Sequence, residues 1–144
     1  MFEEKRMLFL YVETPLHVGA GKGAGNVDLP IQRERTTGYP MVQSSGVKGC
    51  LRSIFRDVHG WKDDDGQLTT LFGKAGGEGE NYAGAISPGD ARLLLFPVRS
   101  LGGVFAWVTS THALANFKRT VQLTGQNVDW NVPDAPGEAD AFVS

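Results

Sequence analysis

Lys48, Arg52 and Arg56 recur at four-residue intervals. A helix over this stretch carries them along one side as a basic stripe. Lys48 falls in the first turn, where the partial positive charge of a helix end disfavours a cation by about 0.3–1 kcal/mol. The hydroxyls of Ser44 and Ser45 and the free amides of the same turn point the same way, a donor set suited to a phosphate. The competing reading is a solvated helix face, the usual situation of spaced lysines and arginines. Lys48 beside two serines tips the balance toward phosphate only modestly.

Other candidates are weaker. Glycines crowd residues 19–25 (Gly-Ala-Gly-Lys-Gly-Ala-Gly), but no Lys-Ser or Lys-Thr follows in the phosphate-loop arrangement, and Pro30 prevents a helix from starting there. The loop ends in one acid, Asp28, a residue type that in loops is most often a turn former or a solvated charge. His17, just before the glycines, suits proton transfer near neutral pH or a plain surface hydrogen bond. His59 and His112 lack partners at zinc-ligand spacing. Cys50 sits on the apolar side of the helix and reads as core. The run Asp63-Asp64-Asp65-Gly66 lacks the alternating ligands of a calcium loop and reads as a solvated turn. Trp61, Trp107 and Trp130 are candidates for base stacking, although Trp107 lies in an apolar strand and suits the core better.

The elements that position these groups follow from periodicity. Residues 7–13 (MLFLYVE) are apolar on both alternating faces, the pattern of a central strand covered on each side. Val47, Cys50, Leu51, Ile54, Phe55 and Val58 mark one face of an amphipathic helix, with Ser44 or Ser45 as N-cap and Gly60 as its stop. Residues 91–98 and 104–109 read as strands joined by a turn at Ser100-Leu101-Gly102-Gly103, with Pro97 near a strand end or sheet edge. Thr109 or Ser110 then caps a helix whose Leu114, Phe117 and Val121 share a face. The order strand, helix, strand, strand, helix is α+β and ferredoxin-like (RRM-like) without the last strand. An empty sheet position exposes a long edge, so the chain reads as an incomplete fold or a fragment.

Composition narrows the function classes. With 14 basic against 16 acidic residues, affinity for nucleic acid must come from a local patch rather than overall charge. One cysteine excludes an internal disulfide framework and fits a reducing cytoplasm. No apolar run approaches the ~20 residues that span a bilayer, and the charged residues 1–6 do not resemble a signal. Residues 1–121 read as the core, with insertions at about 60–90 that include glycines 76, 77 and 79. Residues 122–144, with two prolines and four acids, read as a tail or truncated continuation.

Several phrases in order carry a resemblance that spacing alone does not. These are Thr14-Pro15-Leu16-His17-Val18-Gly19-Ala20-Gly21, Val27-Asp28-Leu29-Pro30-Ile31-Gln32-Arg33-Glu34, Thr37-Gly38-Tyr39-Pro40 and Ser44-Ser45-Gly46-Val47-Lys48-Gly49-Cys50-Leu51-Arg52. Asp90-Ala91-Arg92-Leu93-Leu94, Pro97-Val98-Arg99-Ser100 and Phe105-Ala106-Trp107-Val108-Thr109 continue it. Together they resemble the RAMP superfamily of CRISPR systems across roughly residues 7–120. The Asp-Leu-Pro-Ile-Gln-Arg-Glu phrase looks like the type III-B backbone subunit rather than its type III-A counterpart.

That resemblance implies a ferredoxin-like core with a glycine-rich loop and a thumb insertion. It implies copies stacked head to tail along a CRISPR RNA beside other type III-B subunits, without a membrane. The family's loop aspartate, matched here by Asp28, promotes metal-dependent cleavage of target RNA, with Mg²⁺ or Mn²⁺ the fitting hard cations. Ser44, Ser45, Lys48, Arg52 and Arg56 carry over as guide-backbone contacts, with His17 beside them as an RNA contact. Relatives run about twice as far as this chain. The rival expectations are a purely structural guide-binding subunit and a guide-processing ribonuclease of the same superfamily, for which only His17 offers support.

Overall fold

The apolar spacing after Ser45 becomes helix α1 (Ser44–His59) in the computed structural model, which describes residues 4–21, 30–74 and 82–134. Gly60 ends the helix in the left-handed region at φ 64°, a conformation that costs glycine little because it has no Cβ. Val47 is buried and Phe55 half-buried, and the Phe55 ring meets Phe72 edge-on at 5.6 Å. Phe72 belongs to a short second helix, α2 (Gly66–Phe72). Leu68, fully buried, and Thr69 complete this small core.

α2 falls where a solvated turn is expected. Asp65 is its cap: the side chain accepts from the Gln67 amide at 2.8 Å, satisfying one of the orphan donors of a helix start. The other end is closed by chain that returns after residues 75–81. The Ala85 and Ile86 amides donate to the Thr70 and Leu71 carbonyls, each at 2.9 Å, and Gly73 bridges Ala83. Gly84 permits this approach, since a Cβ there would run into the Gly73 amide and the Leu71 carbonyl.

These elements lie in a unit formed by Tyr11–Arg92. It also holds β1 (Met41–Val42) and β2 (Ala91–Arg92), paired antiparallel with Met41 opposite Arg92. The other unit comprises Met1–Leu10 and Leu93–Ser144. In it β3 (Phe96–Arg99) and β4 (Phe105–Val108) form the expected hairpin, with Phe96 opposite Val108 and Arg99 opposite Phe105. Ser110 then caps α3 (Thr111–Leu123), accepting from the Ala113 amide at 3.1 Å. Ala113 and Val121 are buried. Phe117 stacks on Trp130 with 3° between the rings, and Lys118 Nζ donates to the Trp130 carbonyl at 2.6 Å. Of residues 122–144, read as tail, the first two end α3 and the chain after them returns to that helix at Trp130.

The observed order is β1, α1, α2, β2, β3, β4, α3, an α+β fold built on two two-stranded antiparallel sheets among the described residues. It corrects four expectations. Residues 7–13 form no strand, and Leu8, Phe9, Leu10 and Val12 are all more than half exposed, because a strand is stable only with a ladder partner and a covered face. The expected strand over 91–98 is divided: β2 pairs with β1, whereas β3 pairs with β4. Trp107 is 47% exposed, since all four β4 residues are exposed, and it packs edge-on against Phe105 at 5.4 Å. Cys50 is likewise exposed. It shares a ridge with Ile54 and Val58, both more than half exposed, and the core contacts of α1 run along Val47 and Phe55 instead.

Candidate nucleic-acid interface

The Thr-Gly-Tyr-Pro phrase leads the chain into α1. Gly38, at φ 72°, makes the tight return that lets Arg33 bridge Pro40 and the Glu34 amide donate to the Tyr39 carbonyl at 2.8 Å. The Glu34 carboxylate accepts from the Thr37 hydroxyl at 2.6 Å and faces Arg92 of β2 at 3.5 Å.

Before this return, the chain forms a closed stem. Gly19 bridges Ile31, the Ala20 amide donates to the Pro30 carbonyl at 2.7 Å, and the Gln32 amide donates to the Val18 carbonyl at 2.8 Å. His17, exposed, stands just outside this stem and has no hydrogen bond or ion pair among the described residues. Asp28 and Lys22 lie in residues 22–29, outside the described residues, as do the glycines at 23, 25, 76, 77 and 79.

The start of α1 differs from the expected serine cap. Gln43 takes the N-cap position without a side-chain bond, and the Ser44 amide donates to Asp90 Oδ1 at 2.8 Å. A carboxylate 46 residues away thus fills one position of the anion site, where negative charge is favoured by the helix end. The Ser45 and Gly46 amides have no acceptor within the helix. The Ser44 and Ser45 hydroxyls and the ammonium of Lys48, a half-buried residue, are unpaired among the described residues.

The basic stripe expected over Lys48, Arg52 and Arg56 is divided. Arg52, with a side chain only 17% exposed, donates to the Gly73 carbonyl at 2.8 Å and the Asp63 carbonyl at 3.1 Å. Its guanidinium also lies 3.7 Å from the Asp63 carboxylate. Arg56 pairs with Asp57 at 3.2 Å and Asp63 at 3.6 Å. Its pKa is raised above the ordinary arginine value by the hydrogen bond to Asp57 first, then by the charges of Asp57 and Asp63. Asp63 was legible only as part of an acidic run; that it answers two arginines of α1 needs the turn after Gly60.

Trp61 stacks on His59 with ring centroids 5.1 Å apart and touches Phe55 at 5.9 Å. A cleft of about 450 Å³, lined by Asp63, Asp64, Thr69, Lys74 and Tyr82, contains none of the predicted site residues. Among the described residues no three His, Cys, Asp or Glu side chains are placed to hold a metal, and no helix is long and apolar enough to cross a membrane.

The model of a family described as the RAMP superfamily matches residues 9–137. The chain is 44% identical over 133 residues to the CRISPR system Cmr endoribonuclease Cmr4 of Pyrococcus furiosus, a match covering 92% of this chain and 44% of that protein. The crystal structure of oligomeric Cmr4 from Pyrococcus furiosus is similar at 42% identity and a TM-score of 0.69, over 86% of this chain and 42% of that one. A cryo-EM structure of type III-B Cmr-beta bound to cognate target RNA is similar at 25% identity and a TM-score of 0.58, over 78% and 42%. The chain spans less than half the length of the relatives it matches.

Proposed function

The chain belongs to the RAMP superfamily, and from that premise we propose that it is a backbone subunit of an RNA-guided type III-B effector complex. In this reading it binds CRISPR RNA and cuts complementary target RNA at regular intervals. Its partners are the guide, the target, further copies of itself and the other subunits of the complex. The observation that carries guide binding is the start of α1. There Lys48, unpaired among the described residues, follows directly on the first turn, which carries the open amides of Ser45 and Gly46. Charge and amides read a phosphate without reading a base, which suits a subunit that must accept any guide sequence. Ser44 and Ser45 supply hydroxyls to the same phosphate. Arg52 and Arg56 reach RNA only by sharing their charge with Asp63, and Arg52 also holds α1 against both ends of α2.

Cleavage is assigned to Asp28. The target strand supplies its own nucleophile, a 2′-hydroxyl whose oxygen attacks the adjacent phosphorus while the bond to the 5′-oxygen breaks. Asp28 accepts the hydroxyl proton as the 5′-oxygen leaves; alternatively it would hold a divalent cation, Mg²⁺ or Mn²⁺, which would supply charge to offset that of the phosphate. His17, exposed beside the stem, contacts RNA near the same loop.

Asp28→Asn tests the assignment, because it keeps size and shape and removes the charge. In a guide-loaded complex reconstituted with the chain as its open reading frame encodes it, wild type should give a ladder of target fragments that disappears with chelator. The variant should cut at least about 100-fold more slowly while loading guide and binding target as before. A variant that still produces the ladder would leave the subunit as a scaffold.

A further inference from the structure

Gln32 uses every hydrogen-bonding group that it exchanges with the chain to join two places. Its amide donates to the Val18 carbonyl at 2.8 Å, and its side-chain Nε2 donates to the Gly19 carbonyl at 3.1 Å. Both lie on the strand of the stem that follows His17. Its carbonyl accepts from the Met41 amide at 3.1 Å, and its Oε1 accepts from the Gln43 amide at 3.0 Å. Those lie at β1 and at the residue before α1. The side-chain amide is therefore oriented by its partners, donor toward the stem and acceptor toward the helix start. Few other residues could do this: asparagine is one methylene shorter, and a charged or apolar side chain lacks one of the two functions.

We infer that Gln32 is a positioning residue, which fixes the Val18–Gly19 side of the stem against the start of α1 and so couples target cleavage to the grip on the guide. The inference rests on the function proposed above, in which the start of α1 holds guide phosphate and Asp28 acts on target. Binding and cutting then share one geometric reference. Loss of the bond to Gly19 alone displaces the chemistry without loosening the grip, and positional errors of this kind are costly to rate.

The asymmetry of the side chain supplies the test. Gln32→Glu keeps an oxygen for the Gln43 amide but presents an acceptor to the Gly19 carbonyl, so it weakens the hold on the stem, leaving the backbone bond to Val18, and retains the helix start. Gln32→Met removes both bonds at similar size. In the assembled complex, Gln32→Glu should leave guide affinity within about 3-fold, allowing for the added charge, and slow single-turnover cleavage of bound target by about 10-fold or more. Gln32→Met should lower both guide affinity and cleavage. Hydrogen exchange gives a readout independent of activity: the Gln43 amide should stay protected in Gln32→Glu and the Gln32 and Ala20 amides should exchange faster, whereas Gln32→Met should expose all three. Cleavage at the wild-type rate by Gln32→Glu overturns the inference, and so does a fall in guide affinity that matches the fall in cleavage. Asp28→Asn run alongside keeps the two ideas apart. If it still cuts while Gln32→Glu does not, Gln32 retains its role and the assignment of Asp28 fails.

Discussion

The two halves of α1 carry the same kind of charge and use it differently. In the C-terminal half Arg52, at mid-helix, and Arg56, in the last turn, converge on Asp63, and Arg52 also satisfies the Gly73 carbonyl at the end of α2. At the N-terminal end Lys48 has neither ion pair nor hydrogen bond among the described residues, and the neighbouring backbone is held by Gln32 and Asp90. Arg56, in the last turn, gains from the helix dipole, whereas Lys48, just past the first turn, gains nothing from it. One end is thus arranged for stability. The other keeps a cation where folding alone gives no reason for one, which is what an external anion would require.

The largest expected effect is at Arg52. Its guanidinium is largely covered and makes two charge-assisted bonds to carbonyls, so Arg52→Ala should destabilise the protein by about 2 kcal/mol, read by chemical denaturation. A change below about 0.5 kcal/mol would mean that the clamp between α1 and α2 contributes little and that Arg52 is free for RNA.

How much of this was legible in the residues follows the same division. The α1 spacing, the Gly60 stop, the hairpin turn and the Ser110 cap depend on neighbours within a few positions, and the structure has them all. Met7–Glu13 as a strand, and Cys50 and Trp107 as core, needed knowledge of what covers an apolar face. Periodicity shows that a face is apolar and says nothing about its cover. α2 left a trace, Asp65 two residues before Gln67 and three before Leu68, but the acidic run hid it. The site divides likewise. Lys48 and the serines stand out locally, whereas Asp90 reaches Ser44 across 46 residues and Gln32 reaches Gln43 across 11. Only folding brings those partners together.

Asp90 has a smaller expected effect. Its carboxylate caps the helix and also adds negative charge beside the proposed phosphate. Asp90→Asn keeps an acceptor for the Ser44 amide, so stability should fall by about 0.3–1 kcal/mol. Guide binding at low salt should tighten roughly 2- to 3-fold, the effect of one unit charge several Å away in water. Equilibrium binding to a single guide RNA checks this. Weaker binding would mean that Asp90 shapes the phosphate site rather than competing with it.

Lys48→Ala should change stability least, by under about 0.5 kcal/mol, and it bears most directly on whether this end of α1 grips the guide. Filter binding across a salt series measures it. If Lys48 neutralises one guide phosphate, the slope of log affinity against log salt should become shallower by about 0.7, for guides of any sequence. Arg52→Ala, compared at equal folded fraction, should leave the slope unchanged. An unchanged slope in Lys48→Ala, or a loss of slope in Arg52→Ala alone, would contradict the account and move the grip to the other end of the helix.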